Sequence, residues 1–171
     1  LPQDLSGKFT LDMGCGAGMI GISMAYRGAN VIACDISDKA CQLTADNVRQ
    51  LNPDIANNIS VLRSNLFSNL LLPYQFDIIT ANLWFASAAH GSEIESRFLG
   101  AYHGFLSNVF NYLAPEGVAY MTSANFASYE KLEKMMCNYG IKPLKRTVTK
   151  SHFDSSESVE WYLYSFNRNR H

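Results

Sequence analysis

The sequence has 171 residues, 47% hydrophobic and 17% charged, with 14 Lys+Arg against 15 Asp+Glu for a formal net charge of -1. That length fits a single domain over residues 1–171 with a sizeable core, and it excludes a second large one. No run reaches the roughly 18 to 20 apolar residues of a membrane helix, and a near-zero charge argues against a general phosphate-backbone binder, which relies on excess Lys and Arg.

Leu1 to Lys8 lack the basic segment and apolar run of a signal peptide. They read as the end of a linker, so the chain is expected to be the C-terminal part of a longer protein. Phe9 to Met13 reads as a first strand, Gly14 to Gly18 as a tight turn, and Met19 to Arg27 as a helix closed by Gly28. Val31 to Cys34 is a second buried strand. Ser37 can cap a helix from Asp38 to about Leu51, which Asn52-Pro53 stops. Ile59 to Arg63 and Phe76 to Ala81 follow as third and fourth strands. From Arg97 onward, Phe98, Tyr102, Phe105, Leu106, Val109, Phe110 and Leu113 recur at three- and four-residue spacing, the signature of one apolar helix face. Pro115-Glu116-Gly117 turns the chain into a fifth strand, Val118 to Thr122, and a helix runs from about Tyr129 to Asn138. Lys142 to Lys150 and Val159 to Phe166 are extended runs rich in β-branched and aromatic residues, predicting an antiparallel hairpin. Strands alternating with helices specify an α/β fold: a doubly wound, mostly parallel sheet ending in that hairpin.

Cys15, Cys34, Cys41 and Cys137 form no CxxC pair, which predicts reduced thiols and a cytoplasmic protein. The four histidines are scattered, so no metal site is expected. The charged fraction lies below the roughly 25% usual for globular domains, which leaves room for a homo-oligomeric contact or a missing N-terminal domain.

Chemistry concentrates at the first turn. Leu11-Asp12-Met13-Gly14-Cys15-Gly16-Ala17-Gly18 puts an acid and three alternating glycines at the end of a strand and before a helix, where a ligand can approach the backbone and unpaired N–H donors. Asp35 ends the second strand, twenty-one residues after Gly14, where its carboxylate can accept hydrogen bonds from ribose hydroxyls. Gly16-x-Gly18-x-x-Gly21 also satisfies the dinucleotide fingerprint of dehydrogenases. Literal matching does not choose between the two. The dehydrogenase reading leaves Asp12 and Gly14 without a role.

Asp12-x-Gly14-x-Gly16-x-Gly18, together with Asp35 and the closing hairpin, resembles motif I and the surrounding fold of class I S-adenosylmethionine-dependent methyltransferases. The resemblance implies a Rossmann-like sheet and S-adenosylmethionine as cofactor, with Asp12 near its methionine end and Asp35 and Ile36 near its ribose. Ser64-Asn65-Leu66-Phe67 resembles the family segment whose Asp or Asn meets the adenine amino group. Asn65 would do so here, with Leu66 beside it.

Asn82-Leu83-Trp84-Phe85, directly after the fourth strand, resembles the Asn-Pro-Pro-Tyr/Phe motif of methyltransferases acting on planar amino nitrogens. In that family the Asn accepts the target's N–H bonds and the aromatic ring stacks on its plane. Asn82 and Phe85 are therefore the expected catalytic residues, with Asn82 also bordering the cofactor. Leu83 and Trp84 replace the prolines, and a related Asn-Ile/Leu form occurs in ribosomal-protein lysine methyltransferases. The chain looks most like the group containing ribosomal-RNA guanine and release-factor glutamine N-methyltransferases. The expected acceptor is thus a nitrogen of an RNA base or of a protein amide or amine. The alternatives are a small-molecule N- or O-methyltransferase and a non-catalytic assembly domain. Lys142, Lys145, Arg146 and Lys150, on one hairpin strand, are either phosphate contacts or a solvated face.

Overall fold

The computed structural model describes residues 1–71, 75–83, 91–152 and 158–168. In chain order the elements are β1 (Phe9–Met13), α1 (Met19–Ala25), β2 (Asn30–Asp35), α2 (Asp38–Arg49), α3 (Pro53–Ala56), β3 (Ile59–Arg63) and β4 (Phe76–Ala81). There follow α4 (Ser92–Tyr112), β5 (Leu113–Ala124), α5 (Tyr129–Asn138), β6 (Lys145–His152) and β7 (Ser158–Phe166). The strands form one seven-stranded sheet in the order β3-β2-β1-β4-β5-β7-β6. All pairings from β3 across to β5 are parallel, while β7 runs antiparallel to both β5 and β6. The doubly wound sheet with a closing hairpin is therefore present as the sequence predicts. Because the chain winds outward from β1 to β3 and then returns to β4 on the other side of β1, a crevice opens between the carboxyl ends of β1 and β4.

Neighbouring strand residues point to opposite faces, and this divides the core. Leu11, Ile79, Met121 and Tyr164 belong to a cluster with Phe98, Tyr102, Phe105 and Val109 of α4 and Leu132 and Met136 of α5. Val31 and Ile78 pack instead with Leu5, Met24, Ala25 and Ala29 around α1. Full burial of side chains of this size stabilises by about 1.5 to 3 kcal/mol each, so α4 is held by its apolar stripe. The Tyr102 phenol, fully buried, donates to the carbonyl of Thr122 at 2.9 Å, satisfying the single polar atom of that stripe.

Several boundaries differ from the sequence reading, and four of the differences have a local cause. Helix α4 starts at Ser92, before the apolar stripe begins, with Glu93 and Glu95 in its first turn favoured by the helix dipole. Asn52-Pro53 ends α2 and also starts α3, since the Asn52 side chain accepts from the Asp54 N–H at 3.0 Å and Pro53 occupies a position where no N–H is needed. Strand β5 begins at Leu113, opposite Phe76, and a register shift lodges before Val118 meets Ile78. Strand β6 begins at Lys145 rather than Lys142, where its pairing to Ser165 starts. Among the described residues, no helix is long and apolar enough to cross a membrane, and no three or more His, Cys, Asp and Glu side chains are grouped to hold a metal.

Candidate active site

A cavity of about 580 Å³ lies at the carboxyl edge of the sheet. The turn after β1 supplies Gly14 and Gly16, the end of β2 supplies Asp35 and Ile36, the turn after β3 supplies Asn65 and Leu66, and Asn82 follows β4. The structure thus brings these sequence-predicted residues together. Asp12 and Gly18 are not on the cavity wall, and Trp84 and Phe85 lie outside the described residues.

The turn is held to β2 by backbone bonds: the N–H groups of Gly14 and Cys15 both donate to the Cys34 carbonyl, at 2.8 and 3.0 Å. Gly16 has φ +56°, and a Cβ placed on it would meet nothing within 4 Å, so it would project into open space where the cavity lies. Gly18 has a different requirement. A Cβ there would sit 2.8 Å from Thr44 Cγ2, so its glycine admits the close approach of α2.

Asp12 is 1% exposed, and its carboxylate is committed within the fold. One oxygen accepts from the Gly21 N–H at 2.8 Å and the other from the Thr80 hydroxyl at 2.9 Å, so this side chain ties β1 to α1 and β4 beneath the turn. Burial pushes its carboxyl above the usual aspartate value, opposed by these two bonds.

Asp35 faces the cavity. Its carboxylate accepts the Gly16 N–H at 3.1 Å and the Ser37 N–H at 2.9 Å, which fixes its orientation, and each oxygen retains capacity for another donor. Asn65 precedes Leu66, whose φ of 50° is the sole positive value outside glycine among the described residues. The Ser64 hydroxyl holds this uncommon conformation by donating to the Leu66 carbonyl at 2.6 Å while accepting the Asn69 N–H at 3.1 Å. Asn82 is exposed, and its Oδ1 accepts the Thr122 hydroxyl at 2.6 Å.

Three wall residues escaped the sequence reading: Arg97, Phe98 and Ala101, all from α4. Their helical spacing marks a face turned to the sheet, but nothing local in the sequence ties that face to the first turn. Arg97 bonds Glu93 at 2.7 Å, one helical turn away. Burial pushes the Cys15 thiol up to about 11 and raises Cys34 as well, which favours the protonated thiol at both positions. On β6, Arg146 lies 3.4 Å from Glu133 and 4.6 Å above the Tyr162 ring, and Lys150 pairs with Glu160 at 3.2 Å. Two of the basic residues there already have acidic partners.

The sequence matches a family described as a methyltransferase domain over residues 4–163. A putative protein N5-glutamine methyltransferase of Methanocaldococcus jannaschii is 27% identical over 150 residues, covering 81% of this chain and 73% of that protein. The ribosomal protein L11 methylase of Lactobacillus delbrueckii subsp. bulgaricus superposes with a TM-score of 0.67 at 18% identity, over 94% of this chain and 69% of that one. The glycopeptide N-methyltransferase MtfA, crystallised with S-adenosyl-L-methionine, gives 0.68 at 10% identity over 94% and 82%. The chain spans about a third of the length of several other curated relatives it matches. The likeness at low identity carries the class I methyltransferase fold, and the family match runs through the glycine turn, Asp35 and the hairpin alike: this chain belongs to the methyltransferase domain family.

Proposed function

We propose that the domain is an S-adenosylmethionine-dependent N-methyltransferase whose acceptor is a planar nitrogen on a protein. The observation that carries this reading is the single cavity onto which Gly14, Gly16, Asp35, Asn65 and Asn82 converge from four separate turns of the sheet edge. The open space at Gly16 and the oriented carboxylate of Asp35 fit the cofactor's backbone-hugging and ribose ends. Asn65 and Leu66 would border its adenine, and Asp12 would act from below by holding the turn. Bound there, S-adenosylmethionine supplies a methyl carbon made electrophilic by the positive sulfur beside it.

The chain's own contribution is alignment. Asn82 lies at the cavity rim, and its carbonyl oxygen keeps a second lone pair beside the one used by Thr122, so it can accept an N–H of the acceptor. A pre-oriented dipole of this kind favours the geometry in which charge develops, and close alignment itself removes much of the barrier. A protein acceptor is favoured over RNA by the balanced net charge and by the acidic partners of Arg146 and Lys150. The M. jannaschii relative, named for a protein glutamine, supports the same choice.

Labelled S-adenosylmethionine supplied with cell extract, followed by separation of protein, RNA and small molecules, tests this. Label in protein is the expected result. Label confined to RNA or to small molecules overturns the acceptor class. Cofactor binding with no transfer to any fraction makes the domain a scaffold instead.

A further inference from the structure

Helix α2 reaches the glycine turn through two polar side chains. Its buried positions are Thr44 and Val48, and Thr44 is 0% exposed. A buried hydroxyl is costly unless it is bonded, and neither Thr nor Asn is a strong helix former, so packing and propensity do not account for Thr44 and Asn47 at these positions. Their bonds do. The Thr44 hydroxyl donates to the Gly16 carbonyl at 2.9 Å and lies 3.3 Å from Cys15 Sγ, while the Asn47 amide donates to the Ala17 carbonyl at 2.8 Å. Residues three apart share a helix face, so one side of α2 holds two successive carbonyls of the turn.

We propose that Thr44 and Asn47 are positioning residues for the cofactor, which hold the glycine turn in the conformation that leaves the Gly16 surface open to the ligand. Neither is among the described residues of the cavity wall. The inference rests on the S-adenosylmethionine reading and extends it to a helix that is absent from that wall. Three observations carry it. First, Gly16 is pinned at both of its polar groups. Its N–H donates at 3.1 Å to Asp35, the carboxylate assigned to the ribose, and its carbonyl accepts from Thr44, so this wall residue is fixed between β2 and α2. Glycine reaches φ of either sign and loses more freedom on folding than any other residue, and at +56° its conformation here is chosen by those two bonds.

Second, one helix sets both sides of the site. Ser37 caps α2 and gives its N–H to the other Asp35 oxygen at 2.9 Å, and Thr44 lies two turns further along the same helix. The spacing between the ribose carboxylate and the turn is thus fixed by the rigid rise of α2, about 1.5 Å per residue. Third, because Thr44 is fully enclosed, a carbonyl bonded to it points into the fold and not into the space a ligand would fill. A turn released from α2 would sample several conformations, and apparent affinity falls with the fraction that is competent to bind.

The two halves of the Thr44 side chain separate positioning from packing. Its methyl lies where Gly18 leaves room, 2.8 Å from the position of a Cβ on that glycine, while its hydroxyl holds the turn. Thr44→Val loses the hydroxyl alone, and Thr44→Ser loses the methyl alone. With S-adenosylhomocysteine as probe, calorimetry should give a dissociation constant about tenfold higher for Thr44→Val, the loss of one net hydrogen bond. Thr44→Ser should bind near wild type although its ligand-free Tm is lowered. Asn47→Asp, at a half-buried position, turns a carboxylate oxygen toward the Ala17 carbonyl and should weaken binding by a similar factor in a folded protein. Val48→Ala removes buried packing from the same helix without touching the turn, so it should lower Tm and leave affinity unchanged. In ligand-free Thr44→Val, NMR order parameters of the Gly16 and Ala17 amides should fall below wild type and recover on binding the probe. Wild-type affinity in Thr44→Val and Asn47→Asp, or an equal loss in Val48→Ala, would overturn the positioning role. Failure of wild type to bind S-adenosylhomocysteine would instead bring down the cofactor reading, and this role with it.

Discussion

Two aspartates lie near the carboxyl ends of adjacent strands of this sheet and meet opposite fates. Asp12 is enclosed with both carboxylate oxygens bonded inside the fold, while Asp35 holds its carboxylate at the cavity wall. Asp12→Ala would leave the Gly21 N–H without its acceptor, at about 1 to 3 kcal/mol for a buried group, while the Thr80 hydroxyl keeps the Leu11 carbonyl at 3.3 Å. Asp12→Asn keeps an oxygen for Gly21 and should cost less, as urea titrations would show. The two variants also differ from wild type in pH dependence. Burial raises the Asp12 carboxyl above its ordinary value of 3.8, so the folded state holds that proton more tightly than the unfolded chain. This contribution is fully present below the ordinary value and is lost as pH rises through the raised one. Asp12→Asn should therefore flatten the loss of stability that wild type shows on leaving acid. Asp35→Ala removes one part-buried and one exposed bond, both local to the cavity wall, so the fold should persist while S-adenosylmethionine affinity falls at least about tenfold by calorimetry. At Asn82 the split is reversed. Asn82→Ala should preserve cofactor affinity while turnover falls about a hundred- to thousandfold, equivalent to ~2.7 to 4 kcal/mol.

Helices α1 and α2 depend on a close approach that only one residue makes possible. Gly18 combines φ +83° with a Cβ position 2.8 Å from Thr44 Cγ2, and the Thr44 hydroxyl in turn bonds the Gly16 carbonyl at 2.9 Å. Gly18→Ala should therefore destabilise by at least about 1 to 2 kcal/mol, the cost of a left-handed L-residue, and thermal unfolding should reveal it without any ligand. This is where sequence and structure part company. Alternating glycines announce a turn near a ligand, and the structure confirms the turn, but Gly16 faces open space while Gly18 serves helix packing. Spacing alone cannot assign those roles, because they depend on Thr44, twenty-six residues further on. Strand and helix identities were legible for a simpler reason. Apolar periodicity is set by burial on one face, and the stripe from Phe98 to Val109 is buried as its spacing requires. What periodicity could not give was the reach of that helix to the cavity through Arg97, since it is the sheet topology that brings α4 and the first turn to the same cavity wall. The bond from Thr122 to Asn82 was equally hidden, joining residues forty positions apart on β5 and after β4.

For the whole molecule, the arrangement of the glycines separates two ligands that the sequence motif alone leaves in competition. A dinucleotide would need Gly16, Gly18 and Gly21 to line its path. Gly16 alone of these is on the cavity wall; Gly18 is packed against Thr44 and Gly21 gives its N–H to Asp12. The cavity instead spans the ends of β1, β2, β3 and β4, so a ligand filling it would touch four turns that come together only in the folded sheet and would bind the folded state alone. Such a ligand stabilises folding by mass action. S-adenosylhomocysteine at a hundred times its dissociation constant should add about 2.7 kcal/mol, a rise of about 5 to 10 °C in Tm for a domain of this size. NAD at the same concentration should leave Tm unchanged. Asp35→Ala should shrink the S-adenosylhomocysteine shift while keeping the ligand-free Tm close to wild type, whereas Gly18→Ala should lower the ligand-free Tm and retain most of the shift. A Tm raised by NAD and not by S-adenosylhomocysteine would reverse the cofactor assignment, and equal shifts in wild type and Asp35→Ala would place the ribose away from β2.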